Sequence, residues 1–135
     1  MATTTNPMEL GQDVRSLSIS AIKEQMGPPP WAHEIVQTNG TRCVVICQAP
    51  GHPNDTHYHK QDEWWFIAEG EQTWEFEDGV KVAVKQGDFI FAPKNIWHHI
   101  SVVGDTPAIR VAMSAIGEFH RYDKPGCAPV EKKHA

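Results

Sequence analysis

Three residues of the types that bind metal ions lie close together in the middle of the chain. His57 and His59 are two positions apart, and Glu63 follows shortly after them. Side chains at i and i+2 of an extended strand point to the same face, so the two imidazoles can meet at one point. A turn through residues 60–62 can return the Glu63 carboxylate to their side. Two imidazoles and one carboxylate are typical of a first-row transition-metal site.

A fourth ligand is predicted in the adjacent pair His98-His99. Neighbouring side chains of a strand point to opposite faces, so one member of the pair faces inward and the other outward. His98 shares its parity with Ile96, Ile100 and Val102. The pattern therefore predicts that His98 faces the interior and completes the site, while His99 points away.

The same parity rule selects side chains that can line a substrate cavity. If Glu63 faces the interior, Trp65 and Ile67 face it too, and Ile100 shares the face of His98. We predict Trp65, Ile67 and Ile100 as substrate-lining residues and assign no catalytic residue. The alternate residues Trp64 and Phe66 are expected on the outside, against another sheet or a second subunit.

The surrounding sequence predicts short strands separated by turn residues. Asn39-Gly40 is a strong two-residue hairpin signal, and Asp78-Gly79 marks a further turn. Regularly spaced short strands of this kind indicate an all-β sandwich or barrel. The predicted strands are 32–38, 41–48, 63–68, 71–77, 80–85, 89–92, 96–103 and 108–115.

The chain's 135 residues are expected to form one domain. Residues 1–30 are predicted to form an N-terminal arm with a helix from Ser20 to Gly27, in which Ser20 is the N-cap and Gly27 the stop. Residues 31–117 are predicted to form the barrel. Residues 118–135 lack a period and are expected to be a frayed tail.

Composition limits the partners and the cellular location. A formal net charge of −5 argues against nucleic acid and anionic membranes as partners. The sequence has neither an apolar run long enough to span a bilayer nor the apolar core of a signal peptide, so we expect a cytoplasmic protein. The spacing of the three cysteines predicts free thiols, which fits a reducing compartment.

These motifs resemble those of the cupin superfamily, and the resemblance covers about residues 42–115. The superfamily has two sequence motifs, and this chain departs from the second of them at two positions. Asn95 stands in place of a glycine and Val102 in place of an asparagine. Asparagine tolerates left-handed backbone, so Asn95 can make the same turn. The first motif is matched by Gly51, His57, His59, Glu63 and Gly70, and the second by Gly87, Pro93 and His98.

The resemblance implies a single-domain cupin jelly-roll β-barrel that holds one divalent transition metal through His57, His59, Glu63 and His98. Fe(II) is favoured, with Mn, Ni, Zn or Cu as alternatives, because three imidazoles and one carboxylate suit an octahedral ion with open positions. The resemblance also implies a homodimer.

The first functional hypothesis is a non-haem Fe(II) dioxygenase that oxidises a small bidentate substrate with O₂. The alternatives are a Zn-, Mn- or Ni-dependent isomerase, lyase or cyclase that uses Lewis-acid catalysis, and a non-catalytic small-molecule-binding barrel. No charged residue besides the ligands can be placed inside the barrel. The other histidines have no partner spacing and are expected to be solvated: His33, His52, His120 and His134.

Overall fold

The computed structural model describes residues 8–130, in which one short helix precedes nine strands. The helix, α1, is followed by a pair of long strands and then by shorter ones, all joined by tight turns. Their bounds are α1 Ile19–Met26, β1 Trp31–Thr38, β2 Thr41–Gln48, β3 Thr56–His57, β4 Glu63–Glu69, β5 Glu71–Phe76, β6 Lys81–Lys85, β7 Phe89–Ala92, β8 His98–Val103 and β9 Ala108–Ala115. Within this part of the chain no helix is long and apolar enough to cross a membrane.

The strands form two antiparallel sheets. The five-stranded sheet has the order β1-β2-β9-β4-β7, and the four-stranded sheet has the order β3-β8-β5-β6. Neighbours that are distant in sequence therefore pair across the molecule, as in a jelly roll. The predicted all-β jelly-roll barrel with a short N-terminal helix is confirmed. The extended strand predicted to carry His57 and His59 is only the two-residue strand β3 at Thr56–His57, which pairs with β8.

The interior between the sheets is filled by apolar side chains from both of them. Trp65 and Ile67 of β4 are buried against Trp74 of β5 and Ile100 of β8. The predicted parity of β4 is confirmed, because Trp65 is 1% exposed whereas Trp64 is 40% exposed. Inward and outward residues alternate as a strand with one buried face requires.

Two positions in left-handed backbone confirm predicted turns. Asn39 has φ 49° and the following Gly40 has φ 79°, which is the pattern of a type I′ hairpin turn between β1 and β2. Asn95 has φ 68°, so it makes the turn for which the cupin motif has glycine. The backbone before β8 is therefore placed as the motif requires.

The N-terminal helix covers the outer face of the larger sheet of its own chain. Ile22 is 1% exposed and packs with Trp31, Val45 and Ile109, while Ile19 and Met26 are partly buried against the same cluster. These three helix residues follow an i, i+3, i+7 spacing and form one apolar stripe.

The helix begins two residues earlier than predicted. Ser18 is extended at φ −106° and ψ 145°, and its Oγ accepts a hydrogen bond from the Ala21 N–H at 3.1 Å. The prediction that Ser20 is the N-cap is wrong, because starting the helix at Ile19 adds a residue to its buried stripe. The predicted stop at Gly27, with φ 79°, is confirmed.

A pair of substitutions tests this start. Ser18→Ala should lower the free energy of unfolding by about 1 kcal/mol, because it leaves the Ala21 N–H without its partner. Ser20→Ala is the matched control at an exposed helical position, where alanine has the higher helix propensity and no loss is expected. Urea denaturation of both variants measures the two values, and a larger loss in Ser20→Ala would contradict the assigned start.

Candidate metal centre

Four side chains from three places in the fold converge inside the barrel. His57 ends β3, Glu63 begins β4, and His98 begins β8, where it lies directly opposite His57 in the strand register. With His59, they place one donor atom each so that all four atoms lie within 4.8 Å of one another. The structure thus brings together the four residues that the sequence selected, and this cluster could hold a metal ion.

The two motif histidines turn their outer nitrogens toward hydrogen-bond acceptors. His57 Nδ1 lies 2.7 Å from Asp55 Oδ1, and His59 Nδ1 lies 3.2 Å from the Phe119 carbonyl oxygen. Because a carbonyl or a carboxylate only accepts, both imidazoles carry their hydrogen on Nδ1. Their Nε2 lone pairs are left facing the centre of the cluster, which is how metal-binding histidines are normally oriented.

The inner atoms lie at distances suited to a shared cation. His57 Nε2 and His59 Nε2 are 3.1 Å apart, and His59 Nε2 is 3.1 Å from Glu63 Oε1. Two nitrogen lone pairs facing each other at this distance repel, and a cation between them removes the repulsion. Ligands bound to one ion by bonds of about 2.1 Å lie roughly 3 Å apart, so these residues fit a metal ion.

His98 is the most enclosed member of the cluster. It is 2% exposed, and neither of its ring nitrogens has a hydrogen-bond partner among the described residues. Burial, followed by the neighbouring imidazoles, holds the pKa of His98 well below its usual value, so its ring is neutral. Glu63 Oε1 is likewise buried without a hydrogen-bond partner, although His59 Nε2 lies 3.1 Å from it. Buried polar atoms rarely stay unsatisfied, and a bound ion would satisfy Glu63 Oε1 and one nitrogen of His98.

Asp55 supports the cluster from outside. Its carboxylate lies 2.7 Å from His57 Nδ1, 2.6 Å from His120 Nδ1 and 2.6 Å from the Tyr122 hydroxyl. Burial alone would raise the pKa of Asp55, but these hydrogen bonds outweigh it and hold the pKa far below the usual range. Burial and the bond to Asp55 raise the pKa of Tyr122 to about 12, so its hydroxyl keeps its proton.

His120 is exposed, as expected, but it also lies against the cluster, which no spacing in the sequence indicates. Its ring stacks on His57 with centroids 3.5 Å apart, and its side chain, although half exposed, contacts Asp55. No spacing in the sequence could reveal this, because His120 follows the last strand in a segment without a period. The expected frayed tail is wrong for residues 118–130, since Arg121 bridges to Tyr58 and Ala128 to Thr56. Residues 131–135 of that tail lie outside the described residues.

The remaining histidines lie away from the cluster or outside the described chain. His99 points away from the ligands, as predicted, but its Nδ1 lies 3.1 Å from Thr56 Oγ1 and 3.2 Å from the Asp55 carbonyl oxygen. His33 lies 2.7 Å from the Met8 carbonyl oxygen. His134 lies outside the described residues.

A cavity of about 100 Å³ opens on the cluster. Trp65 and Ile100 line it, as the sequence predicted, whereas Ile67 is fully buried in the apolar core and does not reach the cavity wall. The sequence analysis placed no further charged residue inside the barrel, but Arg110 of β9 is 5% exposed and lines the same wall. Its parity with Ala108 and Ala112 was the available signal, but Ile109 is buried as well, so β9 shows no clear alternation.

Removing the Asp55 carboxylate should weaken metal binding. Asp55→Asn takes away the charge that orients His57, and the loss of such a supporting contact typically costs 10–100-fold in metal affinity. Competition with a chromophoric chelator measures the change. Asp105→Asn, in the exposed turn before β9, is the matched control and should leave the affinity unaltered. Equal affinities for the two variants would show that Asp55 does not position its ligand.

Comparison with known proteins supplies structural relatives. A protein with a double-stranded β-helix domain from Klebsiella pneumoniae subsp. pneumoniae is 26% identical, with a TM-score of 0.64 over 87% of this chain and 98% of that one. A cupin superfamily protein from Desulfitobacterium hafniense is 17% identical, with a TM-score of 0.64 over 83% of this chain and 99% of that one. A structure described as that of DMSP lyases is 18% identical, with a TM-score of 0.59 over 69% of this chain and 52% of that one.

The similarities to the Desulfitobacterium hafniense protein and to the DMSP lyase structure, at 17% and 18% identity, show only a shared fold. No curated protein matches the chain. The family model described as "Cupin domain" matches residues 44–113, from the middle of β2 to near the end of β9. That match includes all the strands and turns that position the histidine cluster, and it covers more than half of the sequence. The chain therefore belongs to the cupin family.

Proposed function

We propose that the protein is a metal-dependent enzyme in which His57, His59, Glu63 and His98 hold one divalent transition ion, with Fe(II) favoured. We further propose that it is a dioxygenase of a small bidentate substrate. The observation that carries the proposal is the convergence of four donor atoms beside a cavity that His57, Glu63 and His98 line. A bound ion facing a cavity can accept substrate oxygens, whereas a structural site is normally closed by protein ligands.

The chain's own side chains would position and enclose the reactants. Asp55 fixes the ring of His57, and the Phe119 carbonyl fixes that of His59. Trp65 and Ile100 supply apolar wall that keeps bulk water from the ligands. When bound, Fe(II) would supply the electron transfer that couples oxidation of the substrate to reduction of O₂.

A second candidate is a lyase, isomerase or cyclase in which Zn, Mn or Ni acts as a Lewis acid. The observation that favours it is the pair His120 and Tyr122, which hydrogen-bond the same Asp55 carboxylate beside the cluster. Such groups can hold or move a proton at the substrate. One structural neighbour is described as a DMSP lyase, and its likeness supports only the shared fold.

Metal analysis and O₂ uptake separate these candidates. Protein purified from its own host is analysed for metals, then stripped, loaded anaerobically with Fe(II) and screened with catechols, thiols and diketones. The dioxygenase proposal predicts iron-dependent O₂ consumption that is lost in His98→Ala. Native zinc or manganese with no uptake on any substrate would reject it in favour of Lewis-acid chemistry. Stoichiometric metal with ligand binding but no turnover would indicate a binding protein.

We also propose that the protein is a homodimer. The outer face of β4 and the edge strand β7 present aromatic side chains: Trp64 is 40%, Phe91 51% and Phe89 69% exposed. Pairing such a face with a second copy would cover both the apolar surface and a free strand edge. Light scattering is expected to give the mass of two chains for the wild type and of one chain for Phe89→Lys. A monomeric wild type would refute the proposal.

A further inference from the structure

Arg110 is a buried cation without a charged partner among the described residues. Its Nη1 donates to Gln48 Oε1 and Gln72 Oε1, each at 2.9 Å, and both amides are themselves buried. Within residues 8–130 it forms no ion pair with a carboxylate, and its Nε has no hydrogen-bond partner. The guanidinium is therefore held at one corner by neutral groups.

The unused part of the guanidinium is the part that recognises anions. A guanidinium offers five N–H groups in a planar fork, and the two bonds from Nη1 leave those of Nε and Nη2. That edge matches the two oxygens of a carboxylate. Burial lowers the pKa of Arg110 to about 10 despite the opposing charges of Glu63 and Asp55, so it remains a cation at neutral pH. A buried, unpaired cation is costly, and a bound anion would offset that cost.

An anion bound to Arg110 would lie in the same cavity as the candidate metal centre. Arg110, Glu63 and His98 line the same cavity of about 100 Å³, between the apolar walls of Trp65 and Ile100. The carboxylates of Glu63 and Asp55 would balance the charge of a bound divalent ion, which leaves the positive charge of the guanidinium. One negative charge on a ligand would neutralise the site. A cavity of this size has the volume of about three water molecules, so the part of the ligand that enters it must be small.

We propose that Arg110 binds the carboxylate of the substrate, a small organic monoanion whose second oxygen donor faces His57, His59, Glu63 and His98. The inference rests on the proposed function, which it deepens by naming the substrate class. A monoanion suits the site better than a phosphate dianion, because Glu63 and Asp55 already place negative charge around the cavity. Arg110 is thus a substrate-binding residue that fixes which end of the substrate reaches the ligands.

The test uses propionate as the probe and propionamide, its neutral isostere, as the matched control. In ¹⁵N NMR of the wild-type protein, metal-free and zinc-loaded, the Arg110 Nε–H resonance should shift saturably with propionate and stay fixed with propionamide. Arg110→Met should weaken propionate binding about tenfold or more. Arg42→Met, which removes a half-exposed guanidinium paired with Glu34, should leave the affinity unchanged.

The outcomes separate this inference from the proposed function. A propionate response at Arg110 in protein that binds no metal would support the anion site while refuting the metal-dependent enzyme. The anion site would be overturned if the protein bound metal stoichiometrically but its Arg110 Nε–H resonance did not shift with propionate. Equal propionate affinities for wild type and Arg110→Met would also overturn it. A response to inorganic phosphate but not to propionate would also overturn it. The wild-type measurement decides the question even if Arg110→Met does not fold.

Discussion

Replacing His98 by alanine is expected to abolish stoichiometric binding of a divalent ion. The substitution removes one of four donors from the most buried corner of the cluster, where water cannot easily take its place. The affinity should fall by more than the roughly 10–100-fold that is typical when only a supporting residue is lost. The measurement is the metal content per chain after loading with one equivalent of Zn(II) or Fe(II) and dialysis.

The neighbouring histidine provides the control for this prediction. His99→Ala alters the next residue of β8, whose ring points away from the cluster toward Thr56. It should keep its full complement of metal. The metal-free fold of His98→Ala should survive, because the cavity left by the ring is offset by removal of two unsatisfied polar atoms. Metal retained after removal of both His57 and His98 would show that the assigned ligand set is wrong.

The ligand cluster was predictable because it depends on local periods. His57, His59 and Glu63 lie within one strand–turn–strand unit, in which the i, i+2 spacing pairs the histidines and one short turn returns Glu63 to them. His98 needed only the parity of β8, in which Ile100 and Val102 are both 6% exposed. Each inference used a rule that acts over a few residues, so distant contacts could not disturb it.

The supporting residues were not predictable by the same rules. Tyr122 reaches Asp55 because the Arg121–Tyr58 bridge holds its segment against the barrel, and that bridge joins distant parts of the chain. The prediction of the helix start was wrong for a related reason. Ser18 and Ser20 are equally good caps locally, and burial of Ile19 against the sheet decides between them. In both cases tertiary packing selected one of several locally equivalent choices.

Gly70→Ala is the stability prediction with the largest expected effect. Gly70 joins β4, which carries Glu63, to β5, which pairs with the strand of His98. Its φ is 78°, and a Cβ there would lie 2.7 Å from the Pro107 carbonyl oxygen and 2.8 Å from the Ala108 Cα. The left-handed backbone costs about 1–2 kcal/mol for alanine. The collision with main-chain atoms adds to it, so we expect a loss of about 4 kcal/mol or more.

Gly79→Ala separates the two contributions. Gly79 has φ 87°, but an added Cβ would meet nothing within 4 Å, so only the backbone cost of about 1–2 kcal/mol applies. Urea denaturation of both variants gives the cost of the collision as the difference between their losses of unfolding free energy. Equal losses would mean that the turn can move away from β9 freely. Because β9 pairs with β4, whose first residue is Glu63, a shift of β9 should also displace a proposed ligand, so Gly70→Ala alone should weaken metal binding.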